Sequence, residues 1–133
     1  MSEEKENKKV LLVDDDEDIL VAMESTLRQL EDIELERATN GNQAVDKIDK
    51  LSPDIVVLDV MLPKKSGFLV MEKIRQKRQK NESQKPRVIM ITGNPGQRHK
   101  VYAQSLGVDE YLNKPFRMDK FLETVKKFLS EES

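Results

Sequence analysis

Five side chains in this 133-residue sequence have the types and placement to do chemistry together: Asp14, Asp15, Asp59, Thr92 and Lys114. Each follows a short apolar run. Val10-Leu11-Leu12-Val13 leads into Asp14-Asp15, and Ile55-Val56-Val57-Leu58 leads into Asp59. Val88-Ile89-Met90-Ile91 meets Thr92, and Tyr111-Leu112 meets Asn113-Lys114. Four-residue apolar runs rich in valine and isoleucine are the pattern of strands buried on both faces of a parallel sheet. A parallel sheet brings all its strand carboxyl ends to one edge, where open α/β sheets bind ligands. Three carboxylates gathered there repel one another, and burial disfavours their charged forms. A divalent cation relieves that conflict. Hard oxygen ligands without histidine or cysteine suit Mg2+. A carboxylate nucleophile, a cation site, a lysine and a hydroxyl are the parts needed to receive a phosphoryl group, a transfer governed by positioning and neutralisation of oxygen charge. Asp59 stands alone at its strand end and is the expected nucleophile. Asp14 and Asp15 are the expected metal ligands. No glycine-rich loop of the Walker type is present, so nucleotide binding is not expected.

The elements between these runs must hold the five residues in place. Ile19, Leu20, Met23, Leu27 and Leu30 form a helical apolar stripe, with Asp16 or a neighbour as its cap. Ile33 to Ala38 reads as a more polar strand near a sheet edge. Asn40-Gly41 is a turn signal. Ala44, Val45, Ile48 and Leu51 mark a short helix stopped by Ser52-Pro53. After Pro63, a loop through Lys64-Lys65-Ser66-Gly67 leads to a third helix carrying Phe68, Met71 and Ile74. That helix is expected to fray into the polar stretch Gln76 to Pro86. Gln97 to Leu106 forms a short helix closed by Gly107. Phe121, Leu122, Val125, Phe128 and Leu129 mark the last one. His99 is expected to be exposed and without a chemical role. Strand and helix alternate five times, which predicts an α/β fold: a doubly wound five-stranded parallel sheet with five flanking helices.

Bulk properties narrow the classes further. A net charge of -2 offers no electrostatic case for binding nucleic acid or a membrane. The absence of cysteine removes disulfides, thiolate metal sites and a thiol nucleophile. The polar, charged first residues do not read as a secretory signal, and no apolar run approaches membrane-spanning length. The expectation is a cytoplasmic protein. Its one domain would span 9–130, after a disordered lead at 1–8 and before a short tail at 131–133.

Taken together, Val10 to Asp15, Asp54 to Asp59 with Met61-Leu62-Pro63 and Gly67, Val88 to Thr92, and Tyr111-Leu112-Asn113-Lys114-Pro115-Phe116 resemble the receiver domain of two-component response regulators. The resemblance covers about residues 8 to 130. It implies the chemotaxis-regulator-like, flavodoxin-like fold with strand order 2-1-3-4-5. It implies that Asp59 takes a phosphoryl group from a sensor histidine kinase or a phosphotransfer protein. Asp14, Asp15, Asp59 and the backbone carbonyl of Met61 would form the metal site. Thr92 and Lys114 would contact the phosphoryl oxygens, and Tyr111 would swing inward as Thr92 moves. The Lys114–Pro115 peptide would be cis. An output partner, or a second copy forming a homodimer, would bind the face of the fourth helix, fifth strand and fifth helix, with Val101, Tyr102, Leu106, Tyr111 and Lys120 contributing. Gly93 stands where the family most often has alanine. Met61 and Asn94 occupy its variable positions beside the site.

Two other readings compete. One is a Mg2+-dependent phosphohydrolase of the haloacid dehalogenase type, which also uses an aspartate nucleophile. That family carries Asp-x-Asp after the first strand with a following Gly-Thr or similar, plus a cap insertion; here the first strand ends in Asp-Asp-Asp-Glu and there is no room for a cap. The other is a receiver reduced to a plain interaction module. Within the receiver reading, the chain is either a single-domain regulator or part of a larger regulator with a DNA-binding or enzymatic output domain.

Overall fold

The computed structural model describes residues 7–93 and 97–131, without the side chains of 97 and 98. The expectations placed on residues 1–6, on 132–133 and on Asn94 fall outside it. Ten elements alternate along the chain. They are β1 (Lys8–Val13), α1 (Glu17–Leu27), β2 (Ile33–Ala38), α2 (Gly41–Leu51) and β3 (Ile55–Asp59), then α3 (Gly67–Asn81), β4 (Arg87–Thr92), α4 (Gln97–Ser105), β5 (Glu110–Asn113) and α5 (Met118–Ser130). The strands form one parallel sheet in the order β2-β1-β3-β4-β5. This is the flavodoxin-like order that the family resemblance implies. The polar strand Ile33–Ala38 is an edge strand, as read.

Alternation along the strands explains the two layers of helices. Side chains point to opposite faces at every step. Leu11, Val13, Val56, Leu58, Val88 and Met90 face a core shared with Ala44 and Ile48 of α2, Val70, Met71 and Ile74 of α3, and Ala103 of α4. Val10, Leu12, Ile55, Val57, Ile89 and Ile91 face the other core, closed by Leu20, Met23 and Leu27 of α1 and by Phe121, Val125 and Phe128 of α5. Both faces of the central strands are therefore buried, which is why those runs are apolar throughout.

The starts of α1, α2 and α3 carry local side-chain caps. Asp16 caps α1 by accepting a hydrogen bond from the Asp18 amide at 2.9 Å. Asn40-Gly41 is not a turn. Asn40 caps α2, its side chain accepting from the Gln43 amide at 2.9 Å, and Gly41 is the first helical residue. The same side chain that favours turns also favours helix starts, because both use a local side-chain acceptor. Gly107 follows α4 with φ +90, the left-handed conformation expected of a helix-ending glycine.

α3 does not fray where its sequence turns polar. It runs to Asn81 because distant groups hold its last turns. The Arg78 guanidinium donates to Pro86 O at 2.6 and 3.1 Å, to Gly107 O at 2.9 Å and to the Asp109 carboxylate at 2.7 Å. Asp109 also accepts from Arg87 at 2.9 Å and from the Val88 amide at 2.8 Å. The Arg78 and Asp109 side chains are each only 14% exposed. Asp54 makes a second tie at this end of the sheet, accepting from the Lys9 amide at 2.9 Å and from Lys85 Nζ at 3.2 Å. Its role is structural, consistent with its distance from the edge that gathers the five residues. Peptides Lys85–Pro86 and Lys114–Pro115 are both cis; only the second was expected.

Removing one member of a largely buried ion-pair network leaves the others unpaired. Asp109→Ala is expected to lower the unfolding free energy by about 3 kcal/mol, read from urea denaturation. A loss below about 1 kcal/mol would show that the network contributes little.

Candidate functional site

The carboxyl ends of β1, β3, β4 and β5 bring the five residues to one edge. Asp14 continues the ladder from β1, its amide donating to Ala38 O at 3.1 Å. Its Oδ1 accepts from the Asp16 amide at 2.9 Å, so the turn into α1 orients this carboxylate. Asp14 is fully buried, while Asp15 beside it is exposed. One carboxylate oxygen from each of Asp14, Asp15 and Asp59 lies within 4.8 Å of the other two.

Asp59 is the last residue of β3 and is 3% exposed. Its Oδ1 accepts from the Met61 amide at 3.1 Å. Its Oδ2 accepts from Lys114 Nζ at 3.2 Å. The same Nζ stands 3.2 Å from Asp14 Oδ2. That pairing is charge to charge: Asp14 Oδ2 is buried and has no partner in hydrogen-bond geometry among the described residues. Lys114 thus places one positive charge between the two buried carboxylates, and they share it.

Lys114 is held where β5 gives way to the cis peptide before Pro115. Its amide donates to Thr92 O at 2.7 Å, tying the ends of β4 and β5. Thr92 is fully buried at the end of β4. Tyr111, paired with Met90 across the ladder, has a buried hydroxyl close to Thr92 but without full hydrogen-bond geometry to any described residue. Met61 lies over the edge with its side chain 65% exposed.

The electrostatics follow from this crowding. Burial pushes the Asp59 carboxyl up to about 6 from its usual 3.8, and the neighbouring Asp14 charge adds to the rise. The Met61 amide and Lys114 offset part of it. Burial pulls the Lys114 ammonium down, but the charges of Asp59 and Asp14 outweigh it and hold the group above its ordinary value. Burial likewise raises the Tyr111 phenol, with Thr92 pulling the other way.

One residue that shapes the site carried no assigned role in the sequence reading. Gly67 opens α3 directly against the backbone of β3's end. A Cβ there would collide with Asp59 O and come within 2.8 Å of Val60 Cα. The Gly67 amide also donates to Val60 O at 2.9 Å. A glycine at the first helical position, where it lowers helix propensity, was the available signal. His99, expected to be exposed, is half-buried: its ring packs edge-on against Phe68 at 5.5 Å, and its Nδ1 is buried. The aromatic neighbour on α3 was not visible from α4's own sequence.

Comparison with known proteins defines the class. Residues 10–126 match the response regulator receiver domain family, and the chain belongs to it. It is a receiver domain of two-component signalling. Over 110 residues it is 36% identical to the alkaline phosphatase synthesis transcriptional regulatory protein PhoP of Bacillus subtilis (strain 168), covering 83% of this chain and 43% of PhoP. The chain thus spans less than half the length of that relative. It superposes on a CheY-like receiver domain protein from Methanospirillum hungatei JF-1 with a TM-score of 0.82 at 30% identity, covering 94% of this chain and 95% of the other. It superposes equally well, at 0.82 and 31% identity, on the BeF3-activated receiver domain of DrrB, covering 94% and 99%; DrrB is a Thermotoga maritima protein. No helix among the described residues is long and apolar enough to cross a membrane.

Two measurements probe the site without any substrate. Between about pH 4 and 6 the folded protein keeps a proton on Asp59 that the unfolded chain has already released. Its stability should therefore fall as pH rises through that window, by up to about 3 kcal/mol from this group. Asp59→Asn removes this contribution, so in metal-free buffer the variant should be more stable than the parent near neutral pH and no more stable near pH 4. Equal stability at both pH values would refute the raised carboxyl. In the second, Gly67→Ala should cost about 2 kcal/mol or more in thermal unfolding, because the obstructing atoms are backbone.

Proposed function

We propose that Asp59 is the phosphoacceptor of this receiver domain and takes its phosphoryl group from a sensor histidine kinase or a phosphotransfer protein. The observation that carries this reading is the Lys114 ammonium shared between two buried carboxylates, 3.2 Å from each, beside a buried threonine. An Asp59 oxygen attacks the phosphorus of the donor's phosphohistidine. The new P–O bond forms as the P–N bond breaks, and the imidazole leaves. Lys114 then exchanges a carboxylate oxygen for a phosphoryl oxygen, and Thr92 turns its hydroxyl toward another.

The donor set fits Mg2+. Asp14 Oδ2 is buried and lacks a hydrogen-bonding partner, and three carboxylates lie within reach of one ion. Asp14, Asp15, Asp59 and the Met61 carbonyl would hold it. Bound there, the ion neutralises oxygen charge on the transferring group. The protein acts as a switch and not as an enzyme on an outside substrate; it works in the cytoplasm on its own aspartate.

Phosphorylation favours the conformation that binds the phosphoryl group better, and the output follows that preference. Thr92 and Tyr111 form the relay, since the phenol already sits buried against Thr92. The readout face is α4-β5-α5, where Val101 and Tyr102 are 61% and 43% exposed. A partner protein or a second copy would dock there. The likeness to PhoP supports an output in transcription.

Incubation with acetyl phosphate and Mg2+ should add one base-labile phosphoryl group, detected by mass. Asp59→Ala should abolish it, and Lys114→Ala should lower its yield by roughly 100-fold, the scale of losing one charge-stabilising donor. Undiminished labelling of Asp59→Ala would overturn the assignment.

A further inference from the structure

The charge of this protein is unevenly spread. Residues 64–87 carry nine Lys or Arg and two Glu. The rest of the chain carries fourteen against twenty-three, so a local surplus of seven cations sits in a protein of net charge -2. Part of that surplus is used internally: Arg78 and Arg87 belong to the Asp109 network. The stripe Lys73, Lys77 and Lys80 is used only in part. These residues stand at i, i+4 and i+7 on α3, hence on one face. Lys77 pairs weakly with Asp49 at 3.7 Å and donates to Ile48 O at 3.4 Å. Lys73 and Lys80 are exposed and have no ion-pair partner among the described residues.

The stripe lines a cleft. A hollow of about 310 Å³ lies between α2 and α3, bounded by Val45, Asp49, Lys73, Gln76, Lys77 and Lys80. One turn before Lys73 on the same face, Leu69 is 49% exposed. The surface thus offers an apolar foothold at one end and three ammonium groups along its length.

We propose that this α2–α3 cleft is a docking site for an acidic amphipathic helix of a partner protein. Acids at i, i+4 and i+7 on such a helix match the lysine spacing, and an apolar residue on the adjoining face meets Leu69 and Val45. Other polyanions fit less well. Neither arginine nor an aromatic side chain lines the cleft, so it has neither the bidentate phosphate contacts nor the stacking platform of a nucleic-acid groove. The acidic surplus over the rest of the chain repels a long polyanion. A bilayer is flat, and this surface is concave. A second copy presenting its acidic side would make a head-to-tail contact, which ends in a ring or a filament and not in the simple two-fold pair.

The probe is a short synthetic helix with Glu at i, i+4 and i+7 and leucines on the adjoining face, titrated into the full chain and followed by amide chemical shifts. Shifts should cluster at Val45, Asp49, Leu69, Lys73, Lys77 and Lys80. Lys73→Glu with Lys80→Glu should weaken binding at least roughly tenfold, with added salt weakening the parent's binding as well. The same peptide with Lys in place of Glu should bind the double variant and not the parent, which separates charge matching from damage to the fold. Phosphorylation of Asp59 should be unchanged in the double variant, so this test stands or falls apart from that assignment. Shifts elsewhere, no shifts at all, or tighter binding in this cleft by duplex DNA or by vesicles rich in phosphatidylserine would overturn the proposal.

Discussion

The structure turns on one electrostatic conflict: two carboxylates, Asp14 and Asp59, are buried at the same sheet edge with a single shared lysine between them. Burying like charges together is unfavourable, and here it raises the Asp59 carboxyl toward neutrality. The conflict persists because the fold leaves these residues nowhere else to go. β1 and β3 are adjacent parallel strands, so their carboxyl ends must be neighbours. A ladder that stabilises the sheet therefore imposes a charge density that a proton or a cation relieves. Local instability and readiness to bind are the same property described from two sides.

The scaffold around that edge is built to hold it. Every central strand is buried on both faces, and α1 with α5 and α2 with α3 and α4 seal the two cores. At the opposite pole, Arg78 and Asp109 tie α3, β4 and the turn before β5. The two poles differ in kind. One satisfies its charges internally, with donors and acceptors matched. The other keeps Asp14 Oδ2 without a hydrogen-bonding partner.

Much of this was legible in the sequence because it depends on short-range pattern. Val10 to Val13, Ile55 to Leu58 and Val88 to Ile91 could hardly be anything but buried strands, and parallel strands fix which ends converge. Thus Asp14, Asp15, Asp59, Thr92 and Lys114 could be grouped before any coordinates. What stayed hidden depends on partners far along the chain. α3 reads as fraying after Gln76 until Arg78 is seen to reach Pro86, Gly107 and Asp109. Asn40-Gly41 reads as a turn because an asparagine acceptor serves turns and helix starts alike. His99 reads as exposed because Phe68, its ring neighbour, lies on another helix. Gly67 signals only by standing at a helix start, which does not say what backbone packs against it.

The contact at Gly67 gives the site a direction. The helix start rests on the peptide carrying Asp59, with no room for even a methyl group between them. β3's end is therefore a fixed jaw: it cannot shift toward α3 without pushing the whole helix. The opposite jaw is made of the ends of β4 and β5, which pair as far as Thr92 and Asn113 and carry one further hydrogen bond from the Lys114 amide to Thr92 O. On that side Gly93 has open space where a Cβ would stand, so an event that draws the two jaws together would be absorbed there. The geometry of one glycine thus fixes one side of the site against the helix that follows it.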